Sequence, residues 1–146
     1  MDFAALVVDG QGVLTDAGMP DVVRRARELG FATALLSNAD GPLPAGWRRL
    51  VDVAVLSGEV GLRKPHPEIF ALCAGRLGVP PQRCVFVDDA PVNVRAAATV
   101  GMTAVLHRGI AQTCAELHVL LGVELSPTYE DAATRATGRT DLRGAP

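Results

Sequence analysis

Five short apolar runs divide the chain, and each ends on polar or small residues. Ala5–Val8, Ala32–Leu36, Val53–Leu56, Cys84–Val87 and Thr103–Leu106 have the length and β-branched content of strands buried on both faces. Between them lie helical patterns. Asp21–Leu29 follows Pro20 and closes at Gly30, and Glu68–Leu77 follows Pro65 and Pro67 and stops at Gly78. Val92–Val100 and Ile110–Leu121 read as two more helices, and Leu43–Leu50, which carries Trp47, as a shorter one. Ser57–Lys64 reads as a loop. Strands that alternate with helices predict an α/β fold in three layers, a five-stranded parallel Rossmann-like sheet flanked by helices.

Chemistry gathers where the runs end. The first delivers Asp9 into the glycine-flanked turn Gly10-Gln11-Gly12, the second ends at Ser37-Asn38, and the fourth ends at Asp88-Asp89. Lys64 lies in the loop region after the third. An Asp-Gly pair also serves an ordinary turn, so Asp9 by itself has two readings. Together the strand ends say more, because an open α/β sheet binds ligands at its carboxyl edge. Three carboxylates on that edge repel one another unless a cation joins them, which points to Mg²⁺ held by oxygens. A hydroxyl, backbone N–H groups and an ammonium beside that cation can receive phosphoryl oxygens.

Composition narrows the class. At 146 residues and 49% hydrophobic, the chain suits one domain that buries about two-thirds of its unfolded surface. Its net charge of −2 and lack of a basic stripe disfavour nucleic acid as a partner. No apolar run approaches a membrane span, and no basic leader precedes the first strand, so a cytoplasmic protein is expected. Cys73, Cys84 and Cys114 lie in apolar segments and read as reduced core residues rather than a disulfide framework. Residues 1–125 form the expected domain. From Ser126 onward the sequence is polar, and 126–146 is expected to be a poorly packed or disordered tail. The chain has 13 arginines and one lysine, so the compact ammonium of Lys64 stands out.

These residues resemble the haloacid dehalogenase-like (HAD) hydrolase superfamily, most closely its phosphatase-type members. Its first motif, Asp-x-Asp-Gly-(Thr/Val)-(Leu/Ile), is matched by Asp9-Gly10-Gln11-Gly12-Val13-Leu14. Ser37-Asn38 matches the second, Lys64-Pro65-His66-Pro67 the third, and Val87-Asp88-Asp89-Ala90-Pro91 the fourth. The match covers Ala4 to Leu106, in the family's motif order. It implies that Asp9 attacks phosphorus to give an aspartyl-phosphate, with Ser37, Lys64 and the Gly10–Gly12 backbone receiving phosphoryl oxygens. It also implies Mg²⁺ on the Asp9 carboxylate, the Gln11 carbonyl and Asp88, with Asp89 alongside. Asn38 is counted with the phosphate-binding residues, although an asparagine after a strand also caps backbone, as Asn93 is expected to do. His66 is expected to start a helix.

Two departures matter. Gln11 stands where family phosphatases carry the Asp that protonates the leaving group and later activates water, and an amide titrates for neither task. Other branches also replace it, with Tyr, Thr or Ala, so the change bears on rate rather than membership. The second departure is size: only Thr15 to Gly30 separates the first two motifs, so a full cap domain is absent. An uncapped crevice suits a large phosphorylated substrate, a site covered by a partner or a second copy of the chain, or binding without turnover. The leading expectation is a slow Mg²⁺-dependent phosphatase. Its alternative is a degenerate HAD domain that binds a phospholigand or protein. A dinucleotide-binding loop is excluded because Thr15 stands where the third glycine is required.

Overall fold

The computed structural model describes residues 2–127. The tail expected over 126–146 therefore lies almost wholly outside the described residues. Five parallel strands form one sheet in the order β3-β2-β1-β4-β5. They are β1 Ala5–Val8, β2 Ala32–Ser37, β3 Val53–Leu56, β4 Cys84–Asp88 and β5 Thr103–Leu106. The helices are α1 Met19–Glu28, α2 Trp47–Leu50, α3 Ser57–Val60, α4 Pro67–Leu77, α5 Pro91–Thr99 and α6 Ile110–Leu121. The three-layer Rossmann-like expectation holds.

The layers follow from the strand period of two. Leu6 and Val8 of β1 face α1 and α6, where Met19, Val22, Val23, Ala26, Cys114 and Leu117 complete one core. Ala5 and Val7 face the other way, toward Ile69, Phe70 and Cys73 of α4 and Ala97 of α5. Phe70 meets Phe86 of β4 edge to face, with centroids 5.2 Å apart at 83°, a favoured geometry for two ring quadrupoles. All three cysteines are free and buried. Burial pushes the Cys73 thiol up to about 12 and the Cys84 thiol to about 11, which keeps both unreactive.

Three boundaries differ from expectation. The helix expected over Leu43–Leu50 shrinks to the single turn α2, because Pro44 lacks a donor and Gly46 takes φ 89°. The loop expected over Ser57–Lys64 contains the one-turn α3. Helix α1 starts at Met19, two residues early, with Pro20 in its first turn.

No cap stands between β1 and β2. A tight turn, Gly10–Leu14, leads through Thr15–Gly18 directly into α1. His107, just beyond β5, ties this segment down: its Nε2 lies 2.8 Å from Asp16 Oδ2 and its Nδ1 2.7 Å from Thr113 Oγ1. With the proton on Nε2 the ring donates to Asp16 and accepts from the Thr113 hydroxyl, so both buried nitrogens are satisfied.

The central apolar layer should dominate stability. Replacing Phe70→Ala should lower the unfolding free energy in urea by about 3–5 kcal/mol. Leu29→Ala, at a side chain 47% exposed, should change it by under about 0.5 kcal/mol. Similar losses from both would place the core elsewhere.

Candidate active site

Register brings the acidic residues together. Val8 pairs with Val87 and with Leu35, so Asp9, Asp88 and Leu36 follow on three adjacent strands. The Asp9 N–H still donates to the Val87 carbonyl at 3.0 Å. Asp88 is fully buried and Asp9 nearly so. Two carboxylates on neighbouring strands would repel in so dry a place without a counter-charge.

Lys64 supplies it. Its side chain is 2% exposed, and the ammonium spends its three donors on Asp9 Oδ1 at 2.7 Å, Asp88 Oδ2 at 2.8 Å and the Leu36 carbonyl at 2.9 Å. The nitrogen also sits 5.6 Å from the centre of the Phe86 ring, a cation–π distance. The pairing expected of the single lysine is present. Asp88 is fixed further by the Ala90 N–H at 2.9 Å and by Asn93 Nδ2 at 3.1 Å. Asn93 thus braces a site carboxylate and does not cap backbone.

Asn38 has a role its position in the sequence does not reveal. Its Oδ1 accepts from the Lys64 N–H at 2.8 Å, and its Nδ2 donates to the Lys64 carbonyl at 2.9 Å. The side chain grips the peptide 26 residues away that carries the lysine, so Asn38 positions Lys64, and its amide is engaged there rather than turned over to a phosphate. His66 starts α4 as expected, its Nδ1 accepting from the Glu68 N–H.

The turn after β1 is shaped by what surrounds it. Gly12 has φ 94°, and a methyl there would overlap the Asp89 carboxylate, so only glycine lets the loop pass that side chain. A Cβ on Gly10 would lie 2.9 Å from Trp47 Cζ3 and 3.1 Å from Ser37 Oγ. The Trp47 ring from α2 and the Ser37 hydroxyl from β2 therefore flank the turn. Gln11 is exposed at the turn's tip. Asp9, Gly10, Ser37, Lys64, Asp88 and Asp89 lie at one edge of the sheet.

One carboxylate oxygen from each of Asp9, Asp88 and Asp89 lies within 4.8 Å of the others. That all-oxygen, multiply charged set fits a hard divalent cation, and glycine at position 12 keeps room for its third member. Cys114 and His118, spaced one helical turn apart, join no such cluster among the described residues.

Burial sets the protonation of Asp9. Its carboxyl is pushed from 3.8 up to about 6, burial raising it most, Lys64 pulling it back and Asp88 adding a smaller upward push. A folded-state pKa above the unfolded value means the native state holds the proton more tightly, so this group's contribution falls as pH rises from about 4 to about 6. Asp9→Asn removes that ionisation. In EDTA, urea unfolding should show the variant gaining on the wild type by up to about 3 kcal/mol between pH 4 and pH 7. An equal difference at both pH values would contradict the burial account.

With this geometry in view, the likenesses to known proteins are informative. A family model of the haloacid dehalogenase-like hydrolases matches residues 3–101. Fructose-1-phosphate phosphatase of Escherichia coli is 38% identical over 86 residues, 59% of this chain and 43% of that protein. Phosphoserine phosphatase of Thermus thermophilus is 37% identical over 93 residues, 58% of this chain and 37% of that one. The chain spans half or less of the length of such curated relatives. A crystal structure of a protein from Corynebacterium glutamicum superposes with a TM-score of 0.76 at 30% identity, covering 87% of this chain and 99% of that one. An aspartate-to-alanine mutant of a Bacteroides thetaiotaomicron HAD family enzyme, in complex with magnesium and inorganic phosphate, superposes over 61% of this chain and 51% of its own, with a TM-score of 0.52 at 25% identity. The extent of the family match and the shared parallel sheet agree: the chain belongs to the haloacid dehalogenase-like hydrolases.

Proposed function

We propose that the chain is a slow HAD-type phosphatase for phosphate monoesters, working through an aspartyl-phosphate on Asp9 with Mg²⁺ as cofactor. The observation that carries this reading is the buried Lys64 ammonium bonded at once to Asp9 and Asp88. A lysine so placed compensates a carboxylate nucleophile and still faces the negative charge of an arriving phosphoryl group. The relatives named as phosphatases and the neighbour in complex with magnesium and inorganic phosphate support it.

In this reading a carboxylate oxygen of Asp9 bonds to phosphorus as the ester P–O bond breaks. Ser37 and the N–H groups of the Gly10–Gly12 turn orient the phosphoryl oxygens, and Lys64 offsets their charge. Asp9, Asp88, Asp89 and the Gln11 carbonyl would hold Mg²⁺, which supplies Lewis-acid stabilisation of the phosphoryl charge when bound. The leaving alkoxide takes its proton from water, because the Gln11 amide has none to give. A water then attacks phosphorus and passes a proton to the departing phosphate, the aspartyl P–O bond breaks and the carboxylate is restored. Gln11 can orient that water but cannot deprotonate it. The exposed amide also favours a second reading, a domain that binds a phospholigand without turnover.

Kinetics separate the two. Gln11→Asp should raise turnover of an unselective aryl phosphate by about 10²–10⁴-fold, with Asp9→Asn as the blank. If Gln11→Asp stays at the blank's level while still binding Mg²⁺, more than a proton donor is missing and the binding reading replaces the enzymatic one.

A further inference from the structure

The groups that would receive a phosphoryl oxygen sit on two walls, held by different means. On one wall Asn38 clamps the backbone of Lys64. The other is the Gly10–Gly12 turn, which must bring its N–H groups to the same point. By composition it is the loosest stretch at this edge, since two glycines flank an exposed glutamine and glycine has the most backbone freedom to lose. Its hydrogen bonds are local. The Gly12 N–H donates to Thr15 Oγ1 at 2.9 Å, and the Asp16 N–H to the Val13 carbonyl at 3.0 Å. Val13 and Leu14 bury their side chains, yet apolar burial is non-directional and does not aim an N–H group. With no cap above, a directional restraint has to come from the core.

His107 supplies one. The β4–β5 register pairs Asp88 with Leu106, and the next residue, His107, donates its N–H to the Asp88 carbonyl at 2.9 Å. The backbone of His107 is thus fixed to the residue whose carboxylate bonds Lys64. Val105, two residues back, belongs to the core under α1 and α6, and alternation turns the imidazole to that side. There its side chain is 3% exposed. Pinning α6 takes only the Nδ1 contact with Thr113. The other nitrogen reaches Asp16, whose side chain is 42% exposed and belongs to the nucleophile's own segment. One chain of contacts therefore runs from Asp88 through His107, Asp16 and Thr15 to the Gly12 N–H.

We infer that His107, acting through Asp16, is a positioning residue for phosphoryl binding: it holds the Gly10–Gly12 turn in place against the end of β4. The inference rests on the phosphatase reading and adds to it the residue that orders the turn. The tolerance is narrow, because Gly12 passes so close to the Asp89 carboxylate that a methyl would overlap it. A turn free to sink would crowd that carboxylate, and one free to lift would carry its N–H groups off the phosphoryl oxygens. Donors fixed beforehand stabilise an anion without reorganising when it arrives. His107 touches no substrate in this role and transfers no proton.

The test reads the order of the turn and its affinity for an anion separately. ¹⁵N relaxation of the metal-free wild type should give the Gly10 and Gly12 N–H groups order parameters of about 0.85, those of rigid backbone. Calorimetry on the Mg²⁺-loaded protein measures the affinity for inorganic phosphate. Asp16→Ala cuts the bond at its half-exposed end and leaves the core closed. It should drop both order parameters below about 0.6. Asp16→Asn removes the same charge but keeps an oxygen that accepts from Nε2–H. It should keep the turn rigid and bind phosphate about tenfold more tightly than Asp16→Ala, the worth of one hydrogen bond. His107→Asn, long enough for Thr113 but not for Asp16, should reproduce Asp16→Ala. A turn as ordered in Asp16→Ala as in the wild type overturns the inference, as does equal phosphate affinity in Asp16→Ala and Asp16→Asn. So does a His107→Asn protein that keeps the wild-type values; in each case His107 only anchors α6. A wild type with a rigid turn that binds no inorganic phosphate overturns the phosphatase reading, and the inference with it.

Discussion

Two carboxylates on adjacent strands, both out of water, can coexist in this fold because one ammonium sits between them. The sheet order places β1 beside β4, which makes the proximity of Asp9 and Asp88 unavoidable. Lys64 offsets the repulsion by bonding both. Removing it would leave two buried charges without compensation, a change that commonly costs several kcal/mol. The surrounding hydrogen bonds serve that one contact. Asn38 holds the backbone that carries the lysine, Asn93 and the Ala90 N–H hold Asp88, and the Leu36 carbonyl takes the third ammonium proton. On the function proposed above, a metal held by Asp9, Asp88 and Asp89 would meet a site already assembled.

The same constraint explains what could be read from the residues alone. All five strands are short apolar runs that end in chemistry, so their positions, the parallel sheet and the gathering of Asp9, Ser37, Lys64 and Asp88 follow from pattern and topology. Contacts that depend on where a loop doubles back are another matter. Asn38 and Lys64 are 26 residues apart, and neither the spacing nor the composition announces that the amide seizes the peptide. Trp47 reads as a helix residue, yet the helix is cut to one turn by Pro44 and Gly46, and that swings the ring onto Gly10. His107 follows an unremarkable edge strand, and its bridge to Asp16 spans 91 residues. Only a faint signal was available for it, a histidine at the end of a strand on the ligand-binding edge.

Asp16 and His107 also bear on the missing cap. The segment between β1 and α1 is the stretch where the resemblance leads one to expect a cap, and here it is a short tether fastened to α6 through a buried imidazole. That leaves the edge of the sheet open, with Gln11 exposed on the turn. The C. glutamicum structure, nearly all of which this chain covers, shows that a core of this extent is not peculiar to one sequence. On the function proposed above, the phosphoryl site is preassembled and lacks the acid–base residue while keeping the nucleophile and its counter-ion.

That claim is tested most directly by intact-protein mass spectrometry after brief exposure to acetyl phosphate and Mg²⁺. An activated phosphoryl donor whose leaving group is acetate needs no protonation of that group, so formation of the aspartyl-phosphate should proceed while its breakdown, which lacks a base, lags. The wild type should gain the mass of one phosphoryl group, mapped to Asp9 and absent from Asp9→Asn. No mass gain in protein shown to bind both Mg²⁺ and inorganic phosphate would contradict the account.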